Sequence, residues 1–483
     1  MVSRPGAAPL RSGRRGNATM STRALGTAAG TRPLRHRGGP ALAPSASASI
    51  GAALLFSIGI TFNGLNSPAG NAIACLLAAG ILSLLLGLWP APAAFWRQSL
   101  PALALVGAAG AWASLPAWAP QWGGDDALAP DIMLPALLGL SGHLVALLCG
   151  ARIGARRHNL AVAMDALILF GCVNAVIGLI LRAWGADLAF ELWRERPDAR
   201  FTGTLSNANV AGAYFGLLAV LALARLMEAR PAGGFARADG HAALVRFCAL
   251  AIALTILIGA CALTGSRSAN VATIAALGML PLWRAARRRG AGGWFGLFIA
   301  ASLVLLVAAF GLSDLVLDRL AIASDEFALR VLMWRQYASL AEAAPLHGYG
   351  LGAFPVLNAY ALSDPRLAQA LWMVNSAHNL VLQLLLQGGF PYLILMTLAA
   401  LWVGYGIIVR GMRDDWRCGS DAVVIAVFVV FACAMIDIAL DVPAMVSLTM
   451  FLVGLAWAPG RDANRYRRSE RHTSAAGTAG RQG

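Results

Sequence analysis

Long apolar runs, separated by short polar or arginine-rich stretches, occupy most of the chain. An apolar run of about 20 residues is long enough to cross the hydrocarbon core of a bilayer as an α-helix. The runs predict an all-α, polytopic membrane protein with about twelve transmembrane helices. The predicted spans are residues 46–63, 70–90, 99–117, 129–150, 160–183, 208–227, 243–263, 268–284, 293–312, 384–409, 420–438 and 442–458.

These spans divide the chain into a membrane region, one long connection and two tails. The connection 313–383 separates the spans within 46–312 from those within 384–458. Residues 1–45 and 459–483 are rich in Arg, Ala, Gly and Ser, and this composition predicts disordered tails.

The overall composition supports membrane insertion. Hydrophobic residues make up 58% of the chain and charged residues 13%, whereas a soluble protein carries about twice that charged fraction. The net charge is +15, and all 38 basic residues are arginine. No basic patch interleaved with aromatic residues supports nucleic-acid binding, so the expected partner of this charge is the lipid bilayer.

The distribution of arginine predicts the topology. With the N-terminus in the cytoplasm, most arginines fall in the inner segments, as the positive-inside rule requires. Both tails are therefore predicted to be cytoplasmic, and the connection 313–383 becomes one large periplasmic loop. The arginines that run against the rule are candidates for function. They are Arg182, Arg194, Arg196, Arg200, Arg267, Arg319, Arg330, Arg335 and Arg366.

Several familiar motifs are absent from the sequence. The seven cysteines form no CxxC pair and lie in or near apolar spans, so neither a disulfide framework nor a zinc site is expected. The sequence contains no DxD, HExxH, GxSxG or Walker motif. We therefore predict no metal and no cofactor.

The large loop carries its own helical and glycine-rich patterns. Residues 325–343 place apolar side chains at helical spacing, which predicts an amphipathic helix lying on the membrane or over the bundle. The alternating glycines that follow indicate a tight loop or a close approach of two backbones. The apolar face would consist of Phe327, Val331, Trp334 and Ala338, and the glycines are Gly348, Gly350 and Gly352.

His378 and Asn379 open an apolar helix where the loop returns to the membrane. This position holds a titratable group at the water boundary on a rigid element. Arg267 lies in a short hairpin between two spans, where it either binds an anion or extends to the lipid headgroups.

Arg200 precedes a turn and a helix N-cap that includes Asn207. A helix N-terminus beside an arginine suits phosphate oxygens, although plain capping explains the same residues. Asp437 and Asp441 flank the last outer turn and would orient His378, pair with an arginine or serve the turn itself. Asp165 lies within a predicted span and is a further candidate.

Four motifs in this order resemble the O-antigen ligase and polymerase superfamily of bacterial envelope proteins. The resemblance covers roughly residues 195–410. The motifs are RFTGTLSNANVAG from Arg200, LTGSRSAN around Arg267, RVLMWRQYASLAEAAPLHGYGLGAFP from Arg330, and SAHNLVLQLLLQGGFPYLILM around His378.

The resemblance implies a glycosyltransferase of the bacterial inner membrane that needs neither metal nor ATP. A glycan would move from an undecaprenyl-diphosphate carrier to an acceptor hydroxyl at the periplasmic face, the acceptor being a glycolipid (lipid A–core) or a glycan. Arg200 and Arg267 would hold the diphosphate and His378 would act as the base. Arg330, Asn379, Asn207 and Trp334 are the expected substrate-binding residues, with Asn379 orienting His378.

Two other functions remain open. A polymerase of O-antigen or exopolysaccharide would use the same motifs, and the single large loop favours a ligase over it. A transporter would share the predicted number of spans and both cytoplasmic termini. Against a transporter, the sequence has no evident internal repeat and no paired broken helices in mid-membrane.

Overall fold

The computed structural model describes residues 44–118, 128–183, 200–229, 240–289, 330–362, 365–372, 374–414, 416 and 419–459. Within these residues the chain consists of helices joined by turns and short connections, and it contains no β-strand. The predicted all-α class is confirmed for this part of the chain.

Fifteen α-helices, α1 to α15, are described in chain order, with a 3-10 turn at Asn63–Leu65 after the first. They are α1 (Ala46–Thr61), α2 (Pro68–Leu88), α3 (Ala93–Ala113), α4 (Leu115–Trp118), α5 (Pro130–Ile153), α6 (Arg157–Ala183), α7 (Ala208–Ala229), α8 (Gly240–Leu263), α9 (Arg267–Arg289), α10 (330–343), α11 (Phe354–Ala361), α12 (Pro365–Leu371), α13 (Leu380–Asp414), α14 (Ser420–Ala434) and α15 (Pro443–Trp457).

Every predicted span on described residues coincides with a helix. Six helices are long and apolar enough to cross a membrane, namely α2, α5, α6, α7, α8 and α13, and α1, α14 and α15 are shorter apolar helices. The predicted span 293–312 and almost all of both tails lie outside the described residues. The count of about twelve spans and the orientation of the termini therefore stay predictions.

Helix α7 is the centre of the helical bundle, because 83% of its most apolar window is buried. The side-chain Oδ1 of Asn207 caps it, accepting hydrogen bonds from the backbone N–H of Asn209 (2.8 Å) and Val210 (3.1 Å). Small residues let α9 approach closely, since a Cβ added at Gly212 would lie only 2.7 Å from Ala269 Cβ. The start of α7 is thus fixed by its cap and by close packing.

One end of the bundle, which we call the arginine end, is held by an ionic network. Arg225 of α7 pairs with Asp165 of α6 through two hydrogen bonds of 2.7 and 2.9 Å. Arg284 of α9 pairs likewise with Asp421 of α14, at 3.0 and 3.1 Å. Glu228 accepts hydrogen bonds from both Arg225 and Arg284, and Arg246 of α8 donates a further one to Asp165 (3.3 Å), so the network joins five helices.

Helix α13 is interrupted near its start. Gly388 and Gly389 have non-helical backbone angles, and the φ of Gly389 is +65°. The freed carbonyl of Leu386 accepts a hydrogen bond from Tyr349 N–H (2.7 Å), and that of Gln387 accepts one from Gly350 N–H (3.2 Å). The loop that precedes α11 is therefore hydrogen-bonded to the backbone carbonyls that the interruption leaves free.

The three glycines of this loop all have positive φ, which confirms the predicted tight loop. The φ values are +60° at Gly348, +99° at Gly350 and +77° at Gly352. A Cβ added at Gly348 would lie 2.6 Å from the carbonyl oxygen of Leu386, so two backbones do approach closely here.

A small apolar cluster, which we call the loop core, packs α10 to α12 onto the first turns of α13. Residues 330–343 are helical, as predicted, while Phe327 lies outside the described residues. The deepest-buried side chains of α10 are Met333 and Tyr337, and the expected stripe through Trp334 is only partly buried. The loop core consists of Met333, Tyr337, Phe354, Leu357, Leu371, Ala377 and Leu386.

Candidate functional site

His378 lies immediately before α13, in a segment held by hydrogen bonds at several points. Its φ is +49°, a left-handed conformation that costs a non-glycine residue of order 1–3 kcal/mol. The indole N–H of Trp334 donates to the carbonyl of His378 (3.3 Å), and the N–H of Ala377 donates to Gln383 Oε1 (2.9 Å). Trp334 therefore contacts the backbone of His378 and fixes its position.

Asn379 is the N-cap of α13. Its Oδ1 accepts a hydrogen bond from Leu382 N–H (3.1 Å), and its Nδ2 donates to the carbonyl of Met435 (3.0 Å). The side chain thus caps one helix and ties it to the segment that follows α14. Asn379 holds the backbone next to His378 in place by this link.

Asp437 lies at the centre of the site, and its side chain is 1% exposed. Its Oδ1 is 3.4 Å from Nδ1 of His378. Its Oδ2 accepts hydrogen bonds from Arg330 Nη2 (3.0 Å) and from Asn209 Nδ2 (2.5 Å). The carboxylate therefore joins α7, α10 and the segment before α13.

The surroundings of Asp437 favour its charged form. α14 ends at Ala434, earlier than predicted, so Asp437 lies in the connection between α14 and α15. Burial alone would raise the pKa of Asp437, but the hydrogen bond and charge of His378 and the charge of Arg330 outweigh it. The pKa of Asp437 is consequently lowered below its ordinary value.

Asp441 lies in the same connection and has the opposite electrostatic environment. Burial raises the pKa of Asp441 to about 6, although the hydrogen bond from Ser376 and the charge of His378 act against this shift. Ser376 Oγ also accepts a hydrogen bond from the N–H of His378 (3.4 Å). Asp441 thus contacts the His378 segment through Ser376.

Arg200 and the turn before α9 are neighbours. The loop that follows Arg200 is buried from Phe201 to Leu205, whereas Arg200 itself is exposed. A Cβ added at Gly265 would lie 3.6 Å from Arg200 Cδ, so the arginine side chain runs along the turn that leads to Arg267. The two expected diphosphate-binding arginines therefore belong to adjoining segments.

Arg267 is the first residue of α9 and is exposed. Its side chain makes no hydrogen bond or ion pair with any other residue in the described part of the chain. Helices α7, α9 and α13 all begin in this region, which we call the site end. Helix N-termini carry partial positive charge, so the site end favours an anion.

The remaining predicted residues are distributed as follows. Asn207 acts in capping α7, and Asp165 lies at the arginine end, paired with Arg225. Asn209, which the sequence places in the turn and cap before α7, also donates to Asp437. Ser376 is a site residue that no sequence pattern indicates. Within the described ranges, no group of three or more His, Cys, Asp or Glu side chains is placed to hold a metal ion.

Residues 251–397 match the family model described as O-antigen ligase. We call this matched stretch, residues 251–397, the O-antigen ligase domain. No curated protein sequence matches the chain.

The O-antigen ligase domain confirms the resemblance seen in the motifs and supports a function of ligase or polymerase type in a multi-pass membrane protein. It includes Arg267, Arg330 and His378. Arg200 and Asp437 lie outside it, on either side. The site therefore joins the O-antigen ligase domain to segments that precede and follow it.

Proposed function

We propose that the protein transfers a glycan from undecaprenyl diphosphate to a hydroxyl of lipid A–core at the periplasmic face of the bacterial inner membrane. The reaction would need no metal. The observation that carries the proposal is the contact of His378 Nδ1 with Asp437 Oδ1, made beside the two arginine-bearing segments of the site end. The O-antigen ligase domain supports a reaction of ligase or polymerase type.

His378 acts as the base. A proton on Nδ1 directed at Asp437 leaves Nε2 as the proton acceptor. The acceptor oxygen forms a bond to the anomeric carbon as its proton passes to Nε2 of His378. The bond from the anomeric carbon to the diphosphate oxygen breaks, and direct displacement inverts the anomeric centre.

Arg200 and Arg267 stabilise the departing diphosphate. It leaves with about two negative charges, and guanidinium groups bind such oxygens through paired hydrogen bonds. The N-termini of α7 and α9 add partial positive charge at the same end of the bundle. These groups replace the divalent cation that many glycosyl transfers use.

Arg330 is expected to act mainly by binding another side chain of the site and not the substrate. Its guanidinium is hydrogen-bonded to Asp437, the carboxylate that also faces His378. It therefore partly neutralises Asp437 and fixes the carboxylate. Arg330 remains a candidate for substrate contact through its other N–H groups.

The test is a gel of lipopolysaccharide from a deletion strain complemented with wild type or variants. We expect core without O-chain in the deletion strain, polymer accumulating on the lipid carrier, and no rescue by His378→Ala. His158→Ala, an exposed histidine near the start of α6, is the matched control and should rescue fully. Core capped with a single repeat would instead indicate a polymerase, and an unchanged ladder would favour exopolysaccharide synthesis or transport.

A second experiment tests whether Arg267 contacts the diphosphate through two parallel hydrogen bonds. Arg267→Lys keeps the charge but loses the planar, forked donor, so glycan transfer should fall strongly. Arg156→Lys changes an exposed arginine just before α6 and should leave transfer unchanged. Near-normal transfer by Arg267→Lys would rule out a bidentate contact with the diphosphate.

A further inference from the structure

Residues 62–67 join α1 to α2, and we call this segment the α1–α2 turn. Three consecutive residues in it have a left-handed backbone, with φ values of +54° at Asn63, +68° at Gly64 and +57° at Leu65. Residues other than glycine adopt this conformation singly and at a cost in free energy. Contacts from outside the α1–α2 turn must therefore hold it.

The loop that follows Arg200 supplies one set of these contacts. Asn63 Oδ1 accepts a hydrogen bond from the backbone N–H of Ser206 (2.8 Å). The carbonyl of Ile60, in the last turn of α1, accepts one from Thr204 Oγ1 (3.1 Å). The loop whose exposed end is Arg200 is thus fastened to the end of α1 at two points.

The connection that carries Asp437 lies against the other side of the α1–α2 turn. A Cβ added at Gly64 would overlap Val442 Cγ1 and would lie 3.2 Å from Leu205 Cδ2. Val442 ends this connection, because α15 begins at the next residue. The α1–α2 turn therefore fits between the Arg200 loop and the Asp437 connection, and no side chain has space at Gly64.

We propose that Asn63 is a positioning residue for Arg200. By holding the backbone of Ser206, it fixes the loop from which Arg200 reaches the diphosphate of the glycan donor. Asparagine suits this place because it tolerates a left-handed backbone and carries a short acceptor. The inference rests on the proposed function, and it gives a part in donor binding to a segment that precedes the O-antigen ligase domain.

Donor binding is the step on which Asn63 acts. The diphosphate of the donor is negatively charged before the bond to the anomeric carbon breaks, so a guanidinium group attracts it already in the bound substrate. If the loop were released from the α1–α2 turn, Arg200 would occupy more positions, and ordering it again would weaken binding. The KM for the donor should therefore change more than kcat.

The test measures binding of undecaprenyl diphosphate to the purified full chain in neutral detergent. Asn63→Gly removes the acceptor but accommodates the φ of +54°, so its melting temperature should stay close to that of wild type. Its affinity for undecaprenyl diphosphate should fall about five- to tenfold, as expected for the loss of one hydrogen bond. Asn66→Gly, the same substitution at an exposed residue of the α1–α2 turn, is the control and should bind like wild type.

Glycan transfer by the same variants separates binding from the chemical step. Asn63→Gly should raise KM for the lipid-linked donor about five- to tenfold and lower kcat by less than about twofold. A loss confined to kcat would overturn the positioning role. So would a loss of affinity that the Asn66→Gly control shares, or one that accompanies a strongly lowered melting temperature.

A double variant shows whether Asn63 acts through Arg200. Arg200→Ala should weaken undecaprenyl diphosphate binding by more than about tenfold, and adding Asn63→Gly should weaken it no further. Additive losses, or wild-type binding by Asn63→Gly beside weak binding by Arg200→Ala, would overturn the positioning role and leave the proposed function standing. Unchanged binding by Arg200→Ala would overturn both this role and the part of Arg200 in the proposed function.

Discussion

The Asp437 carboxylate accepts hydrogen bonds from three parts of the chain besides facing His378. Arg330 and Asn209 donate to Oδ2, and the N–H of Ile438 donates to Oδ1 (2.9 Å). A carboxylate restrained in this way keeps one orientation, and the imidazole facing it keeps one tautomer. The position of the proton on His378 therefore depends on Asp437.

We predict that Asp437→Asn lowers kcat for glycan transfer by about 10- to 100-fold, less than the roughly 100- to 10,000-fold that general base catalysis contributes, because Asp437 only orients the base. The amide has the size of the carboxylate but no charge, so it no longer fixes the Nδ1 proton of His378. KM for the lipid-linked donor should change little. Steady-state kinetics in detergent checks this, with Asp131→Asn, an exposed carboxylate of α5, as the control.

The two aspartates of this connection predict opposite pH dependences of stability. The pKa of Asp441 is raised to about 6 from an ordinary 3.8, so the protonated side chain stabilises the folded state. This stabilisation is fully present below pH 3.8 and is lost as pH rises through 6. The pKa of Asp437 is lowered in the folded protein, so the charged side chain stabilises the folded state. This stabilisation is fully present above pH 3.8 and is lost as pH falls through the pKa of Asp437 in the folded protein.

Asp441→Asn should therefore gain stability relative to wild type, by a few degrees in melting temperature, as pH rises from 4.5 to 7.5. The reason is that the amide has no charged form to bury. Melting temperatures of both proteins across this range are the measurement. If the difference in melting temperature between Asp441→Asn and wild type stayed constant with pH, the pKa of Asp441 would not be raised in the folded protein.

At the scale of elements, the interruption of α13 is the most constrained feature. A Cβ at Gly389 would overlap the carbonyl oxygens of Pro345 and Leu346, and its φ of +65° disfavours a side chain. Gly404, in the same helix, has no atom within 4 Å of the position that a Cβ would take.

Gly389→Ala should consequently destabilise the protein by more than about 1 kcal/mol and displace the loop that precedes α11. Gly404→Ala should be neutral or stabilise by up to about 1 kcal/mol, as expected for alanine in a helix. Thermal unfolding of the two variants, compared with wild type, gives the measurement. Equal melting temperatures would mean that the interruption tolerates a side chain.

The elements themselves could be predicted because apolar run length determines where these helices lie. Their ends were less predictable. The predicted opening of α13 at His378 and Asn379 is confirmed, since Asn379 caps the helix. The membrane span predicted within it, 384–409, does not reveal that two glycines interrupt the helix without ending it or that it continues to Asp414. α14 ends at Ala434, before the expected 438, because the following turn brings Asp437 into the site.

The sequence suggested that Asp437 would orient His378 or pair with an arginine, and it does both. Other contacts between distant residues could not be predicted. Asn209 and Asp437 are 228 residues apart, and no local pattern marks them as partners. The same holds for Asp165, whose place in a span suggested function and whose partner Arg225 lies 60 residues away. Helix packing decides both pairings, and apolar periodicity carries no information about which helices adjoin.

At the scale of the whole molecule, we expect the arginine end to stabilise the helical bundle and the site end to carry the proposed reaction. Asp421 is 1% exposed and accepts from Arg284 and Arg287. Asp421→Asn leaves those guanidinium groups partly unpaired and should destabilise the bundle by about 3–5 kcal/mol. The folded fraction should retain near-normal kcat, because His378 and Asp437 are at the other end.

The measurement combines yield of folded protein by size-exclusion chromatography with kcat per folded molecule. Arg156→Gln, an exposed arginine without a described ion pair, is the control and should give normal yield. A normal melting temperature for Asp421→Asn would show that the network contributes little to stability. A specific loss of kcat would show that the two ends are coupled.

The burial of α7 has a consequence for how the protein responds to its bilayer. Helices in contact with lipid tilt when the hydrocarbon core becomes thicker or thinner. α7 has almost no such contact, and it carries Asn209 at one end and Arg225 at the other. Hydrophobic mismatch therefore acts on Asp437 and its hydrogen-bond partners only through the neighbouring helices. We expect the distances around Asp437 to be similar in membranes of different thickness.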